Sequence, residues 1–152
     1  MAVNPNTDFT SGSVLTAAQQ NRFPRGIVGD ASTNTAYNLT GTAADVTGMS
    51  VTFTAAADRL YLATFYCLNG LNGNVGDFRA QIRLVYASTE FARGYAGSLN
   101  FGYPVTVLGL FEPGTGSVTV KVQAFYDTGS GGNLYADANS PMRFIVEDLG
   151  PF

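Results

Sequence analysis

RLYLATFYCL, residues 59–68, is the longest nearly uninterrupted apolar run in the chain. One alternating set of its positions includes Leu62 and Tyr66, and the other set includes Tyr61 and Phe65. Both sets are largely apolar, and no Gly or Pro interrupts them. The aromatic content and the flanking residues favour a strand buried on both faces over a buried helix of the same length.

A strand in a two-sheet sandwich normally turns one face to the core and the other face to water. Since both faces of residues 59–68 are apolar, we expect a neighbouring subunit to cover the second face. Residues 103–111 are also apolar on both faces. The sequence therefore predicts an oligomer interface through these outer faces, and its predicted residues are Tyr61, Phe65, Leu108 and Leu110.

Most of the remaining chain alternates between apolar and polar residues with frequent turn signals. Alternation is clear in residues 49–54, 78–86 and 118–126, and a Pro-Gly turn lies within residues 112–116. Further strand candidates are the short segments 37–40 and 134–136, the weaker segment 90–96, and residues 142–148. Seven to nine strands with almost no helix predict an all-β fold, an antiparallel β-sandwich or jelly roll, over residues 31–152.

Residues 1–30 have little periodicity and form a predicted extended N-terminal arm. Within the arm, Thr16–Gln19 matches a capping box, which predicts one short helix. We expect the arm to dock on a partner surface through Phe9, Val14 and Leu15. The alternative interpretation is that the arm packs along the side of its own domain.

Composition narrows the classes of partner. The 152 residues suit one domain, and charged residues make up only 12% of them. The net charge is −3 and Lys occurs once, at Lys121, so a nucleic-acid partner is not expected. No secretory segment follows Met1 and no apolar run approaches the roughly 20 residues that span a bilayer. We expect synthesis in a cytoplasm without membrane insertion.

The sequence offers little to support catalysis. It contains no His, which excludes a Ser-His-Asp triad and imidazole-ligated zinc. The single cysteine, Cys67, lies in the apolar run and is expected to be a small buried residue. Asp127 and Asp137 flank a Gly-rich loop that can be read as a Ca²⁺ site or as a plain solvated loop. We predict no catalytic residue, no cofactor and no metal.

Two sets of polar surface residues have alternative interpretations. Tyrosines near predicted loops or strand ends can stack on a sugar ring, or can serve packing and interfaces; they are Tyr37, Tyr95, Tyr103 and Tyr135. Arg79 and Arg83 share the outward face of one predicted strand, with Arg59 and Arg93 expected nearby. These arginines can pair with carboxylates of another subunit or can belong to a solvated polar face.

Three short segments resemble small virion proteins of tailed bacteriophages, chiefly those of actinobacteria. Residues 9–21, FTSGSVLTAAQQN, resemble the opening FTAG-x-VLTAAQ-x-N of that family. Residues 46–53, followed by Asp58-Arg59, are similar to its TGLSVTFTA…GR stretch. Residues 144–151, FIVEDLGP, resemble its VEDLGP ending. Ser11 stands where the family usually has Ala, and Gln20 stands where it usually has Met.

The resemblance implies a non-enzymatic structural component of the virion, described in that family as a minor tail or fibre-associated protein. It also implies a jelly roll like the tumour-necrosis-factor-like domains, which forms a homotrimer and docks on other virion proteins. One alternative is a capsid decoration (head cement) protein. A second alternative is a module that binds a host glycan or receptor.

Overall fold

The computed structural model describes residues 12, 14–72, 78–98, 103–129 and 131–152. These residues contain one short helix, α1 (Ala17–Gln20), and ten strands. The strands are β1 (Gly26–Thr33), β2 (Tyr37–Asn38), β3 (Ala44–Ala55), β4 (Arg59–Asn72), β5 (Phe78–Tyr86), β6 (Thr89–Ser98), β7 (Tyr103–Phe111), β8 (Gly116–Thr128), β9 (Asn133–Leu134) and β10 (Met142–Pro151).

The strands form two sheets. In sheet A, β10 lies between β1 and β4, β7 pairs with the other side of β4, and the short strands β9 and β2 extend the sheet at the end of β4. In sheet B the order is β3-β8-β5-β6. Neighbouring strands are antiparallel in both sheets. The predicted all-β antiparallel sandwich is confirmed.

The core lies between the two sheets. The β4 side chains that fill it identify the inward face of that strand. Tyr61 and Phe65 are almost completely buried, and Phe65 lies directly opposite Phe144 of β10. Tyr61 packs beside Phe53 of sheet B, with their ring centres 5.0 Å apart. The placement of Tyr61 and Phe65 at an oligomer interface was therefore wrong, because both side chains fill the core instead.

The sandwich begins earlier than the sequence predicted. β1 starts at Gly26 and pairs with β10, so the predicted domain boundary at residue 31 was wrong. The pairing register shifts between Ile27 and Gly29, which breaks the alternation by which a strand is recognised. A Cβ added at Gly29 would lie 2.4 Å from the Val51 side chain, so glycine allows β1 and β3 to approach closely.

The end of β4 depends on a second close approach. β4 continues past the apolar run, which ends at Leu68, as far as Asn72. Gly70 has a φ of 65°, and a Cβ added there would lie 1.4 Å from the carbonyl oxygen of Tyr103. Gly70 therefore combines a left-handed backbone with a contact that leaves no room for a side chain.

We expect Gly70→Ala to lower the free energy of unfolding by about 2–3 kcal/mol, the sum of the left-handed backbone cost and the steric clash. Gly114→Ala is the matched control, since Gly114 has a φ of 79° but nothing within 4 Å of the added Cβ. It should cost only about 1 kcal/mol. Thermal unfolding of both variants measures the difference. Equal losses would show that the contact with Tyr103 is unimportant.

Candidate interaction surface

The short helix predicted in the arm is confirmed. The hydroxyl of Thr16 accepts a hydrogen bond from the backbone N–H of Gln19 at 3.2 Å, and the Gln19 side chain accepts one from the backbone N–H of Thr16 at 2.9 Å. Of the predicted docking residues, Val14 is 89% exposed and Leu15 is also exposed, whereas Phe9 lies outside the described residues. Docking of the arm through these residues remains a prediction.

A buried ion pair lies where β4 begins and β10 ends. The Arg59 guanidinium donates two hydrogen bonds to the Asp148 carboxylate, each 2.6 Å long. Only 4% of the Arg59 side chain and 1% of the Asp148 side chain are exposed. This paired geometry matches the planar guanidinium to the planar carboxylate, and it compensates part of the cost of removing both charges from water.

The same pair holds the chain that leads into the sandwich. Arg59 also donates to the backbone carbonyl of Asn21 at 2.5 Å and to that of Phe23 at 2.7 Å. Asp148 accepts a further bond from the backbone N–H of Gly150 at 2.8 Å. We call Arg59, Asp148 and the carbonyls of Asn21 and Phe23 the arm anchor. It fixes the point at which residues before 21 leave the domain.

The arm anchor joins the three segments that carry the family resemblance. Asn21 ends the first segment, Arg59 ends the second, and Asp148 lies in the third. They are far apart in sequence, and Asp148 follows Arg59 by 89 positions. The expectation that Arg59 lies near Arg79 was wrong, because Arg59 belongs to sheet A and points into the core.

The outer face of sheet A carries an exposed apolar surface on β4 and β7. Leu108 is 61% exposed and Leu110 is 54% exposed. The register places Leu110 opposite Leu62 of β4, and Leu60 lies two residues away on the same outward face. We call Leu60, Leu62, Leu108 and Leu110 the leucine patch. An exposed apolar surface of this kind makes the leucine patch a candidate contact site.

The rest of the outer face of sheet A is more polar. Glu147 lies opposite Leu62 and Ile27, and Arg143 lies opposite Tyr66. Asp30 of β1 is exposed beyond β10. The face is therefore apolar on the β4–β7 side and mixed on the β1–β10 side, where these charged residues accompany the exposed Ile27.

The outer face of sheet B is a network of paired charges. Arg79 and Asp127 form two hydrogen bonds of 2.8 Å, and Arg93 forms bonds of 2.6 and 2.7 Å with Glu90. Arg83 lies 3.4 Å from Glu90. These arginines have carboxylate partners within the chain, so the solvated polar face is the interpretation that the structure supports.

The two aspartates considered as calcium ligands have other roles. Arg79 and then Gln81 lower the pKa of Asp127 to about 2 by hydrogen bonding to its carboxylate. The Asp137 carboxylate accepts from the backbone N–H groups of Asn139 and Ser140 and thereby shapes a turn. Among the described residues, no group of three or more His, Cys, Asp or Glu is arranged to hold a metal ion.

The cysteine is buried, as the sequence predicted. The Cys67 thiol donates to the backbone carbonyl of Tyr135 at 3.1 Å. Burial raises the pKa of the Cys67 thiol, and a hydrogen bond involving Gly70 opposes that shift only in part. The thiolate form is therefore disfavoured at neutral pH, which is the setting of a structural rather than a nucleophilic cysteine.

No protein-family model matches this chain, and neither does any curated protein. Within the described residues, no helix has the length and apolarity needed to cross a membrane. Function is therefore inferred from the residues and their geometry.

Proposed function

We propose that this protein is a non-enzymatic structural component of a tailed-bacteriophage virion, located in the tail or fibre. The arm anchor is the observation that carries the proposal. The three segments that resemble phage virion proteins meet in one buried cluster, and this contact supports interpreting them together as parts of one structural unit. Capsid decoration is the alternative location for the same kind of building block.

We propose further that the sandwich is a jelly roll. Its eight long strands pair in nested order: β1 with β10, β3 with β8, β4 with β7, and β5 with β6. Such nesting is what results when one long antiparallel hairpin is rolled into two sheets. This connectivity supports the jelly-roll architecture that the resemblance implies.

The proposed partner of the leucine patch is a second copy of this chain, within a closed homotrimer. Leu108 and Leu110 lose contact with water only if another surface covers them, and burial of apolar area is the main driving force for such association. The charged residues on the β1–β10 side, such as Glu147 and Arg143, provide a polar rim. Closed rotational symmetry gives every copy the same contacts and leaves no open end.

Docking by the arm is tested by deleting residues that precede the arm anchor, so that the arm anchor itself stays intact. Removing residues 1–15 keeps Thr16 and the carbonyls of Asn21 and Phe23, so the sandwich should unfold at the wild-type temperature. We expect the shortened protein to be lost from purified phage particles, as measured by quantitative mass spectrometry. Virion incorporation at the wild-type level would contradict docking by the arm.

A longer deletion controls for folding. Removing residues 1–25 also removes the carbonyls of Asn21 and Phe23, which leaves two donor groups of the buried Arg59 without partners. This variant should be less stable than the 1–15 deletion. Equal stability of the two variants would show that the arm anchor does not hold the arm.

A further inference from the structure

A second candidate surface lies on the outer face of sheet B, on the opposite side of the sandwich from the leucine patch. Its centre is Tyr95 of β6, which is 56% exposed. The Arg79 guanidinium lies 5.4 Å from the centre of the Tyr95 ring, and Arg93 donates to the Tyr95 hydroxyl at 3.2 Å. The ring is thus held in place while more than half of the residue remains accessible.

Hydrogen bonds among the polar side chains beside the Tyr95 ring hold these side chains in place. Gln81 of β5 lies directly opposite Tyr95, and its amide donates to Asp127 at 2.6 Å. Asp127 also accepts two bonds from Arg79, through Nε and Nη2. Planar side chains that are already ordered lose little entropy when they bind a ligand.

A second aromatic side chain lies on the other side of Gln81. Phe125 of β8 is the neighbour of Gln81 across the strand pair, and the Arg83 guanidinium lies 5.0 Å from the centre of its ring. Tyr95 and Phe125 therefore flank one amide across three strands, about 10 Å apart at the backbone. Two aromatic rings separated by an amide can contact successive rings of a linear saccharide.

Two buried polar atoms on this face have no hydrogen-bond partner among the described residues. They are Oε1 of Gln81, an acceptor, and Nε of Arg83, a donor. Such atoms are uncommon in folded proteins and often indicate a missing water or ligand. A hydroxyl group both donates and accepts, so the same chemical group can pair with either kind of atom.

We propose that Tyr95, Gln81, Arg79, Asp127 and Phe125 form a saccharide-binding platform. The ring of Tyr95 stacks on the apolar face of a sugar, and the fixed amide, carboxylate and guanidinium groups bind its hydroxyls. Among the described residues of this face, four cationic side chains, Arg79, Arg83, Arg93 and Lys121, stand against three carboxylates, Asp45, Glu90 and Asp127. One positive charge is left over, which favours a sugar acid over its neutral counterpart.

Binding to immobilised oligosaccharides with and without uronic acids tests this platform. We expect the full chain to bind uronic-acid oligosaccharides, and we expect Tyr95→Ala to weaken that binding about tenfold or more. Tyr135→Ala is the matched control. Tyr135 is also an exposed tyrosine, but it directly follows β9 in the chain and does not belong to sheet B. Its binding should equal that of the wild type.

Tyr95→Phe distinguishes the contribution of the aromatic ring to binding from that of the hydroxyl group. It keeps the stacking surface, so its binding should fall by no more than about threefold. Absence of wild-type binding to every oligosaccharide would overturn the proposal, and so would equal binding by the wild type and Tyr95→Ala. Because the platform and the leucine patch lie on opposite sheets, either result leaves self-association to its own test.

Discussion

Arg59→Ala is expected to lower the free energy of unfolding by about 3–5 kcal/mol, because it removes both guanidinium hydrogen bonds from the buried Asp148 carboxylate. The carboxylate is left with only the Gly150 N–H and the more distant Arg25, at 4.0 Å. Asp148 is 1% exposed, so water does not readily replace the lost guanidinium. The carbonyls of Asn21 and Phe23 lose their donors in the same change. For a chain of this length the melting temperature should fall by roughly 10 °C.

The exposed ion pair between Lys121 and Asp45 provides the control. Its N–O distance is 2.7 Å, but both side chains are nearly half exposed. Lys121→Ala should therefore change the free energy of unfolding by less than about 1 kcal/mol. If Arg59→Ala proved as mild as Lys121→Ala in urea unfolding, the arm anchor would not be a major source of stability.

Limited digestion with trypsin distinguishes loss of the arm anchor from general destabilisation of the domain. Trypsin cleaves after Arg22 and Arg25, which lie on the segment that Arg59 holds. In Arg59→Ala the segment loses its hydrogen bonds, so cleavage there should be faster under conditions in which the sandwich stays folded. Gly70→Ala destabilises the domain at a distant strand end and should leave this cleavage rate unchanged in the folded state.

The double substitution Leu108→Asp with Leu110→Asp is expected to abolish self-association. Both side chains are more than half exposed, so the carboxylates are solvated in the monomer and the fold should be retained. In the proposed homotrimer they would be buried against a neighbouring copy, where desolvation of the carboxylates opposes binding. Light scattering should give the mass of one chain, while circular dichroism should match the wild type.

Thr54→Asp is the matched control for added charge. Thr54 is exposed and lies opposite Ser117 on the outer face of sheet B, away from the leucine patch. It should keep the wild-type mass. An unchanged mass for the Leu108 and Leu110 double variant would place the contact between copies elsewhere.

Periodicity predicted most of the strands. β5 and β7 begin and end where the alternating and apolar patterns begin and end. The same periodicity did not show which face of β4 is inward, because both of its alternating sets are apolar. In the structure the aromatic residues Tyr61 and Phe65 fill the wide space between the sheets, while Leu60 and Leu62 face outward.

The parts that were missed depend on contacts between distant residues. β1 was not predicted because Gly26, Gly29 and a register shift interrupt its pattern. The arm anchor was not predicted because Arg59 meets a partner 89 positions away. One signal was present: Asp148 occupies the same alternating set as Met142, Phe144 and Val146, so a charge stood at a core position.

The mass of the wild-type protein in solution tests self-association through the leucine patch most directly. Multi-angle light scattering on the full chain is predicted to give three times the 16.0 kDa of one chain. A stable mass of 16.0 kDa at the highest soluble concentration would contradict the proposed homotrimer, and the leucine patch would then have to meet a different protein.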